Sequence, residues 1–347
     1  MQNFQARLKS ARLMNGMSIQ DLVNRLDNSI SKQAISRYEN GIMQPSGENL
    51  SLLCKALKVK PDYFERESSV ELKDLSYRKL KRLSVKEQER VREVAIDHLE
   101  RYLELENLLG EASHLKISLE QYAVKTFEDV EAAAEDFRKK MGFGDDPLLN
   151  LVERLEEEGI KVVEIHADPD FSGFATVMNE EFPVVVLNVH PDIPLDRKRF
   201  TLAHELGHLL LKPIGLDEEK ACNRFSGAML IPQNRMREEL MEKRHNIHVK
   251  ELLLLKQQYG MSMQGILYRA KDLGIITNYL FTQQMRFFSQ MGMRKREPGV
   301  IPGEEHSHRF LQLLLRGIAE EIISTSKAAA LYNMKLADFM DELTKLN

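Results

Sequence analysis

The sequence has no tryptophan and only two cysteines, and aromatic residues make up 7% of its 347 positions. Cys54 and Cys222 lie far apart, so the sequence predicts two reduced thiols and no disulfide framework. No apolar run reaches the roughly 18 residues needed to span a bilayer, and the first residues lack the apolar segment of a signal peptide. These absences favour a cytoplasmic protein that does not enter a membrane.

Hydrophobic residues account for 43% of the chain, which is enough to give two or three compact units a core of their own. The few aromatics and the 16 methionines favour a helix-rich protein, and three β-rich runs between residues 160 and 189 add a small antiparallel β-sheet to a mainly α fold. Residues 1–66 carry 10 Lys and Arg against 6 Asp and Glu, a net charge of +4, which leaves −8 for the rest. A basic N-terminal segment followed by an acidic remainder is typical of a chain in which one module binds nucleic acid.

Residues 2–66 predict five short helices with clear start and stop signals. Ser18 is a good N-cap, and Asp21 three residues later completes a capping box. Ser31 caps the next helix, "KQAISRYE", and Gly41 ends it. Two short helices joined by a tight loop and braced by three more form a helix-turn-helix, in which the second helix enters the major groove of DNA.

The segment "SKQAISRYENG...PSGENLSLLCKALKVKPDYF" resembles the XRE family of helix-turn-helix regulators, which are related to Cro and lambda repressor. The resemblance implies that residues 1–67 bind a double-stranded operator. Ile19 departs from the family, which usually has at this position a glutamine that contacts phosphate. The predicted DNA-binding residues are Lys32, Gln33, Ser36, Arg37 and Asn40. By position, the first three of these would face base edges, and the last two would hold phosphates.

Residues 68–130 are charged and predict a helical connector. Apolar side chains from Val91 to Leu105 share one face of the stretch "LSVKEQERVREVAIDHLERYLELENLLG", and the ion-pair-rich opposite face is expected to be solvated. Because a module that reads a two-fold DNA site usually needs a dimer, the connector is also expected to be a homodimer seam.

Two histidines and a glutamate stand in the apolar run "RFTLAHELGHLLL", residues 199–211. Residues four apart share one face of a helix, so His204 and His208 can direct both imidazoles at one ion. This is the H-E-x-x-H pattern of zinc peptidases, in which zinc lowers the pKa of a bound water and Glu205 accepts its proton as a general base. The two imidazoles could instead belong to an inert buried helix, but a buried glutamate is costly unless it meets a charge.

A catalytic zinc site needs a third protein ligand, and the sequence offers one after the motif. The first helix should end near Leu211, and a second helix should start near Asp217. In such a hairpin Glu219 lies at the height of His208, which makes it the predicted third ligand. Asp217 and Glu218 are alternatives that would also suit the start of a helix. Three β-rich runs precede this region, "IKVVEI", "FSGFATVM" and "FPVVVLNV", and "NEE" joins the last two as a hairpin.

The motifs "FSGFATV", "VVVLN", "RFTLAHELGHLLL" and "EKACNRFSGAMLIP", in this order, resemble the ImmA/IrrE family of metallopeptidase domains. The resemblance implies Zn²⁺ bound by His204, His208 and Glu219, with Glu205 as the catalytic base, in a domain over residues 131–285. Known members cleave repressors, often of the XRE type. The family therefore implies a protein substrate bound as an extended strand at the sheet edge near "VVVLNV".

Other polar residues offer weaker candidates. The pairs His245 with His248 and His306 with His308 lack an acid comparable to Glu205 and a helical apolar setting, so no metal role is expected. An oxyanion-stabilising residue cannot be chosen from the sequence among three candidates. These are His190, Asn188 and Tyr259.

Residues 286–347 predict a helical C-terminal region that follows a Gly- and Pro-rich ordered loop, "MRKREPGVIPGE". The full order of segments resembles regulators that fuse an XRE domain to an ImmA/IrrE domain. Two functions are compatible with it. One is a DNA-binding regulator with a zinc endopeptidase that cleaves a repressor or itself; the other is a non-proteolytic or antitoxin-like regulator in which the zinc fold is a sensor or dimer platform.

Overall fold

The N-terminal helices begin and end where the sequence places caps and glycines. The computed structural model describes residues 3–73, 83–111, 115, 119–148 and 150–345. Ser18 and Asp21 form the predicted capping box, and Ser31 accepts a hydrogen bond from the amide of Ala34. Four α-helices and a 3₁₀ helix over Pro61–Glu65 thus confirm the predicted module. The α-helices are α1 (Phe4–Met14), α2 (Ile19–Arg25), α3 (Lys32–Glu39) and α4 (Gly47–Leu57).

Helix α5 (Val85–Leu108) packs against α1, the sheet and the C-terminal helices. Its buried apolar positions are spaced by three and four residues, which is the period of a helix with one face in a core. The expected solvated face is wrong for three charged residues, because each has a partner in another part of the fold. The buried apolar residues are Val91, Ala95, Leu99, Tyr102 and Leu105, and the buried charged ones are Glu100, Arg101 and Glu106.

These buried charges join α5 to three parts of the chain. Glu100 receives two hydrogen bonds from the guanidinium of Arg7 in α1, at 2.5 and 3.0 Å. Lys161 in the sheet pairs with Glu106 at 2.5 Å. Arg101 donates to the Leu331 carbonyl at 2.6 Å in the C-terminal region. Since a buried charge is stable only when it is paired, these contacts fix α5 against all three parts.

The sheet before the histidine helix contains β2 (Lys161–Ile165), β3 (Gly173–Met178) and β4 (Phe182–Asn188), in the spatial order β2-β4-β3. Strands β3 and β4 form the predicted hairpin, with Asn179 and Glu180 both at positive φ in the turn. Strand β2, however, runs parallel to β4. The expected antiparallel sheet is therefore a mixed one, because the loop after β2 carries the chain past the position that β4 later fills.

A second, two-stranded sheet contains the strand that directly follows the histidine helix. Strands β1 (Tyr122–Val124) and β5 (Leu211–Pro213) pair in parallel. The other elements of this region are helices that pack against the larger sheet or against one another. They are α6 (Phe127–Lys140), α7 (Leu151–Glu157), α8 (Leu195–Leu210) and α9 (Glu218–Leu230).

The remaining helices follow in the predicted order, and the loop between α13 and α14 is held by two buried carboxylates. Glu297 accepts the amides of Met263 and Gln264, at 2.8 and 3.0 Å. Glu305 accepts the amide of Val152 at 2.6 Å. The helices are α10 (Gln233–Leu240), α11 (Val249–Tyr259), α12 (Met263–Asp272), α13 (Asn278–Gln290), α14 (Arg309–Ala319), α15 (Thr325–Leu331) and α16 (Leu336–Thr344).

The division into domains after residues 67, 130 and 285 stays a prediction, and the last two positions lie inside α6 and α13. Parts of the predicted connector, at 74–82, 112–114 and 116–118, fall outside the described residues. Within the described ranges no helix combines the length and the apolar character that a membrane crossing requires.

Candidate metal centre

Helix α8 carries the H-E-x-x-H motif, with its apolar residues on one side and its histidines on the other. The buried side packs into a core cluster that also contains residues of α6 and α9. His204 and His208 lie one helical turn apart and are partly exposed on a cavity of about 690 Å³. The residues of α8 in the core cluster are Leu202, Ala203, Leu206 and Leu210.

The helix after the motif comes close to α8 at a glycine. A Cβ atom built on Gly207 would lie 3.3 Å from the Cα, Cβ and Sγ atoms of Cys222 in α9. The side chain of Cys222 is fully buried, so the two helices are in direct contact there. Glu219 lies three residues before Cys222, near the start of α9, and this contact brings it beside the two histidines.

Three side chains meet at the mouth of the cavity. The Nε2 atoms of His204 and His208 are 3.1 Å apart. The carboxylate of Glu219 lies 3.3 Å from Nε2 of His204 and 3.6 Å from Nε2 of His208. Among the described residues these three are the group of His, Cys, Asp or Glu side chains whose ligand atoms converge closely enough to hold one ion. Two imidazoles and a carboxylate are a ligand set that suits zinc.

The outer nitrogen of each imidazole has an oxygen acceptor. Nδ1 of His208 is 2.8 Å from Oε1 of Glu218, and Nδ1 of His204 is 3.1 Å from Oδ1 of Asn223. An oxygen acceptor at Nδ1 favours the tautomer with its proton there, which leaves Nε2 with a free lone pair. Both imidazoles are therefore turned to present Nε2 to the same point, so the residues fit a zinc ion.

Glu205 is 3% exposed and also lines this cavity, next to the histidine pair. Phe171, Ser172 and Gly173, at and just before the start of β3, also line the cavity. The cavity thus has converging imidazoles and a carboxylate at its mouth, a second carboxylate inside, and a strand end along one side.

The two alternative ligands have other contacts. Asp217 is the N-cap of α9, where its carboxylate accepts the amide of Lys220 at 2.9 Å. Glu218 orients His208 and does not share the ion position. Asn223 was missed by the sequence analysis, although a signal existed. It lies four residues after Glu219, so the two share one face of α9.

The other histidines and the oxyanion candidates lie away from the centre. His248 caps α11, and His306 pairs with Glu164 at 2.6 Å. Asn188 is fully buried and holds the loop before β3 through the carbonyls of residues 167, 168 and 171. His190 lines a different cavity, and Tyr259 donates to Glu239 at 2.8 Å. No residue of this set lines the cavity of the histidine pair.

The predicted DNA-binding residues lie on one exposed surface of α3. Ser36 is half-buried, while the Asn40 side chain donates to the Ser36 carbonyl at 2.7 Å and closes the helix. Arg12 of α1 pairs with Glu39 of α3 at 2.6 Å, which holds the two helices together. The exposed residues are Lys32, Gln33, Arg37 and Asn40.

Comparison with known proteins supports both parts of this description. Residues 8–64 match the helix-turn-helix family model. Residues 155–271 match the model of the M78 peptidase family, described as the IrrE N-terminal-like domain, and this range includes the histidine pair and Glu219. No curated protein matches the chain as a relative.

Proposed function

Because the chain joins a helix-turn-helix domain to an IrrE N-terminal-like domain of the M78 peptidase family, we propose that it is a DNA-binding transcription regulator with a zinc-dependent endopeptidase. Its substrate would be a repressor protein, of the XRE type, or the chain itself. The observation that carries the proposal is the convergence of His204, His208 and Glu219 beside the buried carboxylate of Glu205.

Each residue of the centre has a role that follows from its position. Bound zinc would supply a Lewis acid that makes water a better nucleophile and polarises the scissile carbonyl. His204, His208 and Glu219 would hold the ion, while Asn223 and Glu218 keep the imidazoles in the required orientation. Glu205 has the carboxylate that takes a proton from the attacking water and passes it to the leaving amine. A site that only held a structural ion would have no use for Glu205.

The substrate strand would lie along β3 and not along "VVVLNV". The sequence analysis placed it near the latter run, but that run forms β4, which has β2 on one side and β3 on the other. A central strand has no free peptide groups to offer a substrate. Strand β3 lies at one edge of the sheet, and Gly173 at its start lines the cavity. An extended peptide paired with β3 would therefore pass the histidine pair.

The DNA-binding part of the proposal rests on the exposed surface of α3. The side chains of Lys32, Gln33 and Ser36 would read base edges, and Arg37 and Asn40 would hold phosphates. One module reads one half-site, so a homodimer is proposed for a two-fold operator. Within the described chain, the apolar face of α5 is covered by α1, the sheet and the C-terminal helices, so the dimer contact would use another surface.

The test is cleavage of the repressor encoded beside this protein, with wild type, Glu205→Gln and His204→Ala compared in purified form. We expect wild type to cleave, Glu205→Gln to bind zinc without cleaving, and His204→Ala to lose both. An intact repressor with zinc-loaded wild type would support a non-proteolytic regulator. Equal zinc content in wild type and His204→Ala would refute the ligand assignment.

A further inference from the structure

Residues 69–73, which we call the strap, pair with the edge strand of the site. The strap follows the helix-turn-helix module directly. The amide of Lys73 donates to the Val177 carbonyl at 2.9 Å, and the amide of Asn179 donates to the Glu71 carbonyl at 2.8 Å. Leu72 and Met178 form an antiparallel β-bridge. The strap thus lies on the outer edge of β3 at the end far from the cavity.

The side chain of Asn179 fastens the strap. Its Oδ1 accepts the amide of Glu71 at 2.8 Å, and its Nδ2 donates to the Ser69 carbonyl at 2.9 Å. Asn179 has a φ of +52° in the turn between β3 and β4, a conformation that glycine also adopts without strain. Glu180, the next residue in the turn, has a φ of +61° and an exposed side chain.

The strap alternates between buried and exposed residues, as a strand does. Val70 and Leu72 are buried in a core cluster that contains Phe174 and Met178 of β3. Ser69, Glu71 and Lys73 are exposed. This period of two shows that the strap is a fourth strand position on the sheet, although only part of it is paired.

The hydrogen-bond pattern of β3 shows which of its peptide groups face outward. The amide of Asn188 donates to the Ser172 carbonyl, so residue 172 and every second residue after it face β4. Gly173, Ala175 and Val177 therefore direct their peptide groups to the outer edge. Val177 is already bonded to Lys73. The strap is antiparallel to β3, so from Glu71 to Lys73 it runs toward the end that lines the cavity.

The start of the strap is also tied to the DNA-binding module. Arg7 in α1 donates to the carbonyls of Arg66 and Glu67, at 3.1 and 2.6 Å, as well as to Glu100. The side chain of Ser68 lies 3.3 Å from the same Glu100 carboxylate. The segment that enters the sheet is thus anchored between α1 and α5.

We infer that the strap competes with the substrate for the outer edge of β3, and so limits which peptides the site accepts. The inference rests on the proposed peptidase function. Among the described residues no other backbone group is hydrogen-bonded to the outward side of Gly173 or Ala175, so a substrate strand can pair there, but pairing that extends to Val177 requires the strap to leave. A substrate that is extended over a longer stretch must therefore displace the segment that anchors the DNA-binding module.

The test uses zinc-loaded full-length protein and fluorescein-labelled β-casein, an unfolded protein, as the probe. Asn179→Gly removes both side-chain bonds to the strap but suits the turn, and we expect cleavage to rise about fivefold. Glu180→Gly is the matched control in the same turn and should leave the rate unchanged. Each variant is also made with Glu205→Gln, so that contaminating proteases can be subtracted.

A second pair of changes locks the strap in place. Facing residues of an antiparallel pair have Cα atoms about 4.5–5.5 Å apart, a distance that a disulfide spans. The double variant Leu72→Cys with Met178→Cys should therefore cleave β-casein more slowly when it is oxidised than when it is reduced. The native thiols of Cys54 and Cys222 are buried, so oxidation should be confined to the new pair. This comparison decides the question if Asn179→Gly does not fold.

The outcomes separate the two proposals. Faster cleavage by Asn179→Gly, even if wild type shows no cleavage, supports the competition between strap and substrate. Equal cleavage by wild type, Asn179→Gly and both redox forms of the locked protein overturns the competition and leaves the peptidase function standing. No cleavage by any zinc-loaded form overturns both.

Discussion

Gly207 and Cys222 stand so close that a single Cβ on the glycine would lie 3.3 Å from three atoms of the cysteine. This contact sets the distance between α8 and α9, and therefore the distance from the histidine pair to Glu219. Alanine in a helix is otherwise preferred over glycine by about 1 kcal/mol. A glycine at this position is explained by the approach of the second helix.

Gly207→Ala should weaken the metal centre by moving α9 a few tenths of an ångström. We expect zinc affinity to fall about tenfold, the lower range for changes that disturb ligand orientation, and stability to fall by about 1 kcal/mol. Zinc competition with a chelating dye and urea unfolding measure the two effects. Gly47→Ala is the control, because a Cβ there meets no atom within 4 Å. Unchanged zinc affinity in Gly207→Ala would show that this contact does not position Glu219.

Changes at the two acceptors of the imidazoles should alter zinc affinity without removing a ligand. Glu218→Ala and Asn223→Ala each take away the oxygen that holds Nδ1, and we expect losses of about 10- to 100-fold. Asn223→Asp keeps the acceptor and adds a negative charge, so it should bind zinc at least as tightly as wild type. The visible spectrum of the cobalt-substituted protein reports the ligand geometry. Glu242→Gln, whose side chain is 77% exposed, is the control.

Arg37→Ala should weaken binding to any DNA duplex, because the contact proposed for Arg37 is to phosphate and not to a base. The slope of log K against log salt should become smaller by about 1, as expected when one phosphate contact is lost. Fluorescence anisotropy with a mixed-sequence duplex at several salt concentrations measures this slope. Lys243→Ala changes an exposed lysine outside the helix-turn-helix match and should have no effect. An unchanged slope for Arg37→Ala would contradict the assignment of α3 as the recognition helix.

Stability should depend on pH through the buried Glu156. Burial raises the pKa of this carboxyl to about 7, although it accepts hydrogen bonds from Ser307 and the Val162 amide. In the unfolded chain its pKa is about 4.3. The folded state therefore holds a proton that the unfolded state releases, and stability decreases as the pH rises from about 4.3 to 7.

Glu156→Gln removes this dependence, since glutamine stays neutral at every pH. We expect the variant to be more stable than wild type by about 3–4 kcal/mol at pH 8 and by less than about 1 kcal/mol at pH 4.5, in urea unfolding. Glu157→Gln, on the same helix with a side chain 42% exposed, should show no such difference. Parallel curves for wild type and Glu156→Gln would mean that another group causes the dependence. Glu305 is one such group, because burial raises the pKa of its carboxyl to about 7 as well.

Features that depend on neighbouring residues could be predicted from the sequence. Ser18, Asp21 and Ser31 cap their helices as expected, because a cap forms between groups three residues apart. The β3–β4 hairpin was also predicted, since its turn joins two β-rich runs directly. The parallel pairing of β2 with β4 was not. The residues of the three β-rich runs do not indicate which run will form the central strand of the sheet.

The buried ion pairs of α5 also could not be predicted from the sequence. Glu100 and Glu106 belong to the charged pattern of the connector, and only the folded chain brings Arg7 and Lys161 to them. A charge pattern indicates exposure only when no partner from a distant part of the chain is available. The sequence contains all four residues but not their distances.

For the metal centre, the sequence by itself determined that His204 and His208 share a helix face, because four residues make about one helical turn. It also placed Glu205 beside them. The tertiary structure decided that Glu219 lies beside the pair, that Glu218 and Asn223 contact the imidazoles, and that the start of β3 borders the cavity while the strap lies at its far end. These contacts join segments far apart in the chain, and their distances are set by the packing of α8 against α9 and β3, which no local pattern contains.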